Sequence, residues 1–66
     1  MKNRLKIERA ILDLTQEELA QKIGVSRQTI NAIEKNRYVP STVLSLKISE
    51  ICCKNVNDIF ILEEDD

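Results

Sequence analysis

Apolar residues recur at helical spacing in almost every segment of the chain, without internal repeats or low-complexity linkers. This pattern predicts a mainly helical fold. In the first segment the spacing i, i+3, i+4, i+7 is met by Ile7, Ala10, Ile11 and Leu14. We therefore predict a first helix from about Arg4 to Asp13 that places this stripe against the core.

A second helix is predicted by the residues around Thr15. The Thr15 side chain can cap the helix, while Glu18 can reach back to the backbone N–H of Thr15. Leu14 and Leu19 can contact each other across this capping box and set the angle at which the chain enters the helix. The helix should end at Gly24, the only glycine, because a left-handed residue there would be strained by a Cβ.

A third helix should follow after a very short turn, because Ser26 supplies another N-cap. We predict that it runs from Arg27 to about Lys35, with Ile30 and Ile33 on one side. The opposite side gathers long polar side chains and no acid, namely Arg27, Gln28, Asn31 and Lys35. A donor-rich face suits a helix that enters the DNA major groove, although any exposed helix face is polar.

A fourth helix should begin after Pro40 and Ser41, since proline resists an earlier start and serine supplies the cap. One face of this helix carries Leu44, Ile48, Ile51 and, at its margin, Cys52. Leu46 and Cys53 point to nearly the opposite side. A helix that is apolar on two faces is usually covered on both, which a small monomer does not easily achieve.

A short helix starting at Asn55 or Asn57 and four consecutive apolar residues, 59–62, complete the apolar pattern. Together with the two-faced fourth helix they predict a homodimer formed through residues 41–62. The predicted interface consists of Leu46, Cys53, Ile59, Phe60 and Ile61.

The length of 66 residues is that of one small domain, which we assign to residues 1–66. The chain has no histidine and no evident set of nucleophile, base and orienting residue, so we expect no enzyme. The adjacent Cys52 and Cys53 suit packing in a reducing compartment, and we expect no metal or other cofactor. Neither a membrane span nor a signal peptide is evident, so we expect a cytoplasmic protein.

The net charge of −1 conceals an asymmetry along the chain. Residues 1–47 carry nine Lys and Arg against five Asp and Glu, a net charge of +4, whereas residues 48–66 carry a net charge of −5. The basic part can bind phosphate despite the acidic average, because the local field governs association. Alternatively the acidic end only aids solubility, and charge alone does not decide between these interpretations.

Residues 14–36, which read LTQEELAQKIGVSRQTINAIEKN, closely resemble the helix-turn-helix of the Cro and lambda-repressor family, also called the xenobiotic-response-element (XRE) family. The similarity continues through residues 40–41, 46–48 and 57–60, and it is greatest to the short, stand-alone bacterial regulators of the cytolysin-repressor type. This resemblance implies an all-α, five-helix, lambda-repressor-like domain with the helix-turn-helix at about residues 15–36. It also implies a short terminal strand that pairs with residues near Lys2 to Leu5.

The same resemblance implies roles for individual residues. Those facing base edges would be Arg27, Gln28, Asn31 and Ala32, with Arg27 suited to guanine, Gln28 to adenine and Ala32 to a thymine methyl. Those contacting the phosphate backbone would be Gln16, Ser26, Lys35, Asn36, Arg37 and Tyr38. Arg9 and Glu34 would form a structural ion pair between helices 1 and 3. Asn36 can also be interpreted as a left-handed helix C-cap, and Tyr38 can also be interpreted as a partly buried packing residue.

We therefore expect a sequence-specific transcriptional regulator that binds double-stranded DNA at a palindromic operator as a homodimer and acts as a repressor. The alternative is an antitoxin or adaptor whose main task is to hold a protein partner. The apolar surface of the fourth helix and of the C-terminal segment would support that alternative. No feature of the sequence indicates a membrane partner or a small-molecule ligand.

Overall fold

Five helices and a two-stranded antiparallel sheet make up the computed structural model, which describes residues 1–66. In chain order the elements are β1 (Lys2–Asn3), α1 (Leu5–Ile11), α2 (Gln16–Ile23), α3 (Arg27–Glu34), α4 (Thr42–Cys52), α5 (Val56–Ile59) and β2 (Phe60–Ile61). The predicted helical fold is confirmed. None of the helices combines the length and the apolar character that crossing a bilayer requires.

The core is shared by all five helices. Its largest fully buried side chains are Leu5, Leu19, Ile30, Ile33, Ile48 and Ile59. Complete burial of a side chain of this size contributes about 1.5–3 kcal/mol. Because a short chain buries a smaller fraction of its surface than a long one, each helix must place a face against this one core.

The local signals at the ends of α2 and α3 are confirmed. Thr15 Oγ1 accepts a hydrogen bond from the Glu18 backbone N–H at 3.0 Å, and Glu18 Oε1 accepts one from the Thr15 N–H at 2.9 Å. Gly24 ends α2 in the left-handed region with φ of 77°. Ser26 Oγ then accepts a hydrogen bond from the Thr29 N–H at 3.2 Å. The turn between the two helices is therefore only three residues long, 24–26.

The predicted core face of α1 is wrong for Ile7, Ala10 and Ile11, whereas Leu14, which follows the helix, is partly buried against the core. Ile7 and Ile11 leave 49% and 65% of their surfaces exposed, and Ala10 is exposed as well. The residues of α1 that reach the core are instead Leu5 and Glu8. The helix is also shorter than predicted, since it ends at Ile11.

A buried carboxylate accounts for the orientation of α1. Glu8 is 4% exposed, and its two oxygens accept hydrogen bonds from Lys54 Nζ at 3.1 and 3.3 Å. Arg4 Nε lies 3.9 Å from the same carboxylate. Burying a charge is unfavourable unless it is paired, so Lys54 allows Glu8 to occupy the inner side of the helix. Apolar spacing within α1 contains no information about a partner 46 residues away.

The predicted pairing of the terminal segments is confirmed. In the antiparallel sheet Lys2 lies opposite Ile61, and Asn3 lies opposite Phe60. The Arg4 N–H continues the contact by donating to the Ile59 carbonyl at 2.8 Å. This pairing fixes the amino-terminal residues beside the end of α5.

The same pairing bears on the predicted dimer interface. Ile59 and Phe60 pack in the core of their own chain, where 0% and 8% of their surfaces are exposed, so the folded chain leaves them little surface for a second copy. Successive residues of a strand point to opposite sides, so Phe60 faces inward while Ile61 faces outward and is 43% exposed. Of the other interface residues, Leu46 is 56% exposed and Cys53 is exposed.

The two adjacent cysteines, both free, occupy different environments. Cys52 belongs to the core, where burial, with a smaller effect of Glu8, raises the pKa of its thiol above the ordinary value of 9.0. Cys53 is exposed and ends α4 in the left-handed region with φ of 53°. Cys52 therefore acts as a small packing residue with little thiolate character.

The capping box of α2 predicts a measurable titration. Hydrogen bonds from the Thr15 backbone N–H and then from its side chain lower the pKa of Glu18 below the ordinary value of 4.5. The stability that this interaction contributes is present above pH 4.5 and is lost as the pH falls through the lowered pKa. Carboxyl NMR titration should show this lowered pKa, and Thr15→Ala should raise it. A wild-type Glu18 that titrates at or above 4.5 would contradict the assignment.

Candidate nucleic-acid interface

The inner side of α3 is anchored by Ile30 and Ile33, both completely buried. Its outer side presents Arg27 and Gln28, which are exposed, and Asn31, which is half-buried. These three side chains line one shallow recess of about 180 Å³ that no other residue lines. The structure therefore brings three of the four expected base-reading residues together on one surface.

Ala32, the fourth of these residues, lies on the flank of α3. It is half-buried and lines a larger groove beside the recess, together with Gln28 and Tyr38. Gln28 thus belongs to both the recess and the groove. Ala32 can offer only a methyl contact from this flanking position.

The segment after α3 carries four of the expected phosphate-contacting residues. Asn36 has a left-handed φ of 59°, and its N–H donates to the Ile33 carbonyl at 3.0 Å, so it forms the turn that closes α3. Lys35 and Arg37 are exposed and form no ion pair within the chain. Tyr38 is also exposed. The charged ends of Lys35 and Arg37 are therefore available to a ligand beside α3.

Asn3 is a positioning residue that the sequence analysis missed. Its Nδ2 donates to the Ile33 carbonyl at 2.8 Å and to Asn36 Oδ1 at 2.9 Å. Its Oδ1 accepts a hydrogen bond from the Leu5 N–H at 3.1 Å. Asn3 thereby joins β1, α1 and the end of α3. No local pattern identifies it, because its partners, Ile33 on α3 and Asn36 after it, lie 30 and 33 residues away.

The side chains of Ser26 and Gln16, two further expected phosphate contacts, are engaged within the protein. Ser26 Oγ caps α3 and lies 3.0 Å from Thr29 Oγ1. Gln16 is half-buried, and its Nε2 donates to Glu34 Oε1 at 3.1 Å. To bind a phosphate, the Gln16 amide must therefore break its hydrogen bond to Glu34 or donate its second N–H. Ser26 is exposed and can be reached without a rearrangement.

Arg9 and Glu34 form a bidentate ion pair between α1 and α3. Arg9 Nε donates to Glu34 Oε2 at 2.7 Å, Nη2 donates to Oε1 at 3.2 Å, and Nη1 donates to the Leu14 carbonyl at 2.9 Å. The two side chains are 16% and 5% exposed. The hydrogen bonds to Glu34 raise the pKa of Arg9. The pair thus fixes α3 against α1 and against the start of α2.

Two short helices in contact across a three-residue turn, with a donor-rich outer face on the second, define a helix-turn-helix DNA-binding protein. The helix-turn-helix family pattern of Cro/C1 type matches residues 5–52, and the chain belongs to this family. As a member of the family it is a DNA-binding regulator of transcription, a class that is generally not enzymatic.

Similar proteins extend over the full chain. An uncharacterized HTH-type transcriptional regulator of Methanocaldococcus jannaschii is 56% identical over 66 residues, which cover 100% of both chains. The uncharacterized HTH-type transcriptional regulator YgzD of Bacillus subtilis is 48% identical over 65 residues, with 98% of each chain covered. A similarly described protein of Methanothermobacter thermautotrophicus is 48% identical over 66 residues, covering 98% of this chain and 96% of its own.

The Arg9–Glu34 pair predicts a large loss of stability when one partner is removed. Glu34→Ala leaves the mostly buried guanidinium of Arg9 without its carboxylate and should lower the free energy of unfolding by about 3 kcal/mol. Glu17→Ala is the matched control, because Glu17 is exposed and unpaired, and its effect should stay within about 0.5 kcal/mol. Urea unfolding measures both. Identical midpoints for Glu34→Ala and the wild-type protein would refute the assignment.

Proposed function

We propose that this protein represses transcription by binding a palindromic operator as a homodimer, with α3 of each copy in the major groove. The observation that carries the proposal is the outer face of α3, where Arg27, Gln28 and Asn31 share one recess without an acidic neighbour. Arginine pairs with guanine O6 and N7, and glutamine pairs with adenine N6 and N7. Each well-placed pair contributes about 1–3 kcal/mol of discrimination between bases.

Phosphate contacts at both ends of α3 would position it over the bases. Lys35, Arg37 and Tyr38 stand exposed after the C-terminal end, and Ser26 stands exposed at the N-terminal end. Such contacts set the register of a protein on the duplex but carry little sequence information. We include Gln16, at the start of α2, and Asn36, after α3, among the phosphate contacts. Their side chains also make hydrogen bonds within the protein.

Dimerisation is supported by the apolar side chains that the fold leaves outside. Leu46, Cys53 and Ile61 remain exposed after the core has formed. One recognition helix reads only a few base pairs, whereas two helices related by a twofold axis and about 34 Å apart read a palindrome. We therefore assign these three residues to the dimer interface, and we place the dimer in the cytoplasm with its DNA.

The exposed face of α1 favours a second candidate function, that of an adaptor or antitoxin. Ile7 and Ile11 form an apolar surface that the core does not cover. The salt dependence of binding distinguishes the two functions. The affinity for DNA falls as ionic strength rises, and it falls more steeply with each phosphate that the protein neutralises. A protein partner held on Ile7 and Ile11 by apolar contacts would respond little to salt.

The base-reading role of Gln28 is tested by selecting bound duplexes from random DNA. Gln28→Ala should abolish the preference at one symmetric pair of positions and weaken specific binding about tenfold, since one bidentate contact is lost. Non-specific binding should remain. Gln21→Ala, an exposed glutamine on α2 outside the recess, should leave the selected sequence unchanged. An unaltered preference in Gln28→Ala would remove Gln28 from base reading.

The dimer interface is tested by analytical ultracentrifugation at micromolar concentration. Leu46→Glu should convert the dimer to a monomer, because it places a charge in an apolar contact. Ile11→Glu places the same charge on an exposed isoleucine of α1 and should leave the dimer intact. A wild-type protein that stays monomeric throughout the micromolar range is incompatible with this part of the proposal.

A further inference from the structure

A groove of about 580 Å³ runs along the flank of α3 and reaches the N-terminal half of α4. Its walls are mostly apolar and are formed by Ile23, Val25, Ala32, Tyr38, Val43 and Leu44. Its polar side chains are Gln28, Thr29, Ser41 and Lys47. Lys47 is the only charged residue that lines the groove, and no acidic side chain does.

The groove is continuous with the base-reading surface. Gln28 lines both the groove and the recess that it shares with Arg27 and Asn31. A duplex that places base edges against this recess must continue past Gln28, because the sugar-phosphate strand borders the bases on either side. The groove borders Gln28 on the α4 side of α3, where that strand would pass.

The chemistry of the groove matches a DNA strand, which is itself amphipathic. The C–H surfaces of deoxyribose can pack on apolar side chains, and the negatively charged phosphates between them favour a nearby cation. The groove offers apolar walls, including the exposed Val43 and Tyr38, together with one lysine. A lysine binds phosphate as a compact charge and does not require the planar geometry of an arginine.

Lys47 is available for such a contact. It is exposed and forms no ion pair with any carboxylate of the chain. We propose that the groove seats the sugar-phosphate strand beside the bases that α3 reads, and that Lys47 binds one of its phosphates. This inference rests on the proposed DNA-binding mode and adds α4 to the elements that hold the duplex.

The test combines a protein variant with neutralised DNA phosphates. Duplexes carrying the selected sequence receive a single methylphosphonate at each phosphate in turn, and their affinities are measured for wild type, Lys47→Gln and Lys6→Gln. Lys6 is the matched control, because it is an exposed lysine on α1 that does not line the groove. Circular dichroism and urea unfolding verify that all three proteins fold alike.

We expect one phosphate in each half-site whose neutralisation weakens wild-type binding about tenfold, as loss of a hydrogen bond to a charged group does. The same methylphosphonate should have no further effect on Lys47→Gln, because the contact is already absent. Lys6→Gln should keep the full wild-type sensitivity. Lys47→Gln should also reduce the slope of log affinity against log salt by about 1 for each chain bound.

Three outcomes would overturn the inference. If wild type binds the selected duplex but Lys47→Gln matches Lys6→Gln at every phosphate and in its salt slope, the groove does not hold the strand and the proposed function stands. If Lys47→Gln changes the sedimentation of the free protein and not its DNA affinity, the groove is a contact between copies. If wild type binds no duplex at all, the proposed function fails together with this inference.

Discussion

The structure depends on the burial of Ile30 and Ile33 beneath α3. This helix has eight residues. An isolated helix needs about 12–15 residues to be even marginally stable in water. Its stability must therefore come from packing against the core that all five helices share. Because the inner side supplies this stability, the outer side contributes little to folding, and Arg27, Gln28 and Asn31 can project into one recess without a packing role.

Polar contacts then fix the direction in which this face points. The Arg9–Glu34 pair ties α3 to α1, and Asn3 ties the end of α3 to β1. Positive and negative charges are distributed unevenly along the chain, with a net charge of +4 over residues 1–47 and −5 over residues 48–66. In the C-terminal segment Asp66 and Glu63 approach the Met1 amine at 2.9 and 3.1 Å. The acidic segment therefore lies beside the amino terminus.

Features set by neighbouring residues could be predicted from the sequence, whereas those set by distant partners could not. The capping box of Thr15 and Glu18 involves residues three positions apart, so its pattern can be identified in the local sequence. The inner face of α1 was misassigned because the Lys54 that pairs with buried Glu8 is 46 positions away. Ile59 and Phe60 were placed at a dimer interface because an apolar run does not show which members the monomer buries. The recess on α3 follows from helical periodicity alone, but the groove requires α4 to be placed beside α3.

Contact between the outer face of α3 and DNA bases is measured most directly by an NMR titration of the 15N-labelled protein with its selected duplex. We expect the largest changes in the side-chain amides of Gln28 and Asn31 and in the backbone of α3. Resonances of Ile7 and Ile11 on α1 should scarcely move. Large changes on α1 with an unaffected α3 would contradict base reading by α3.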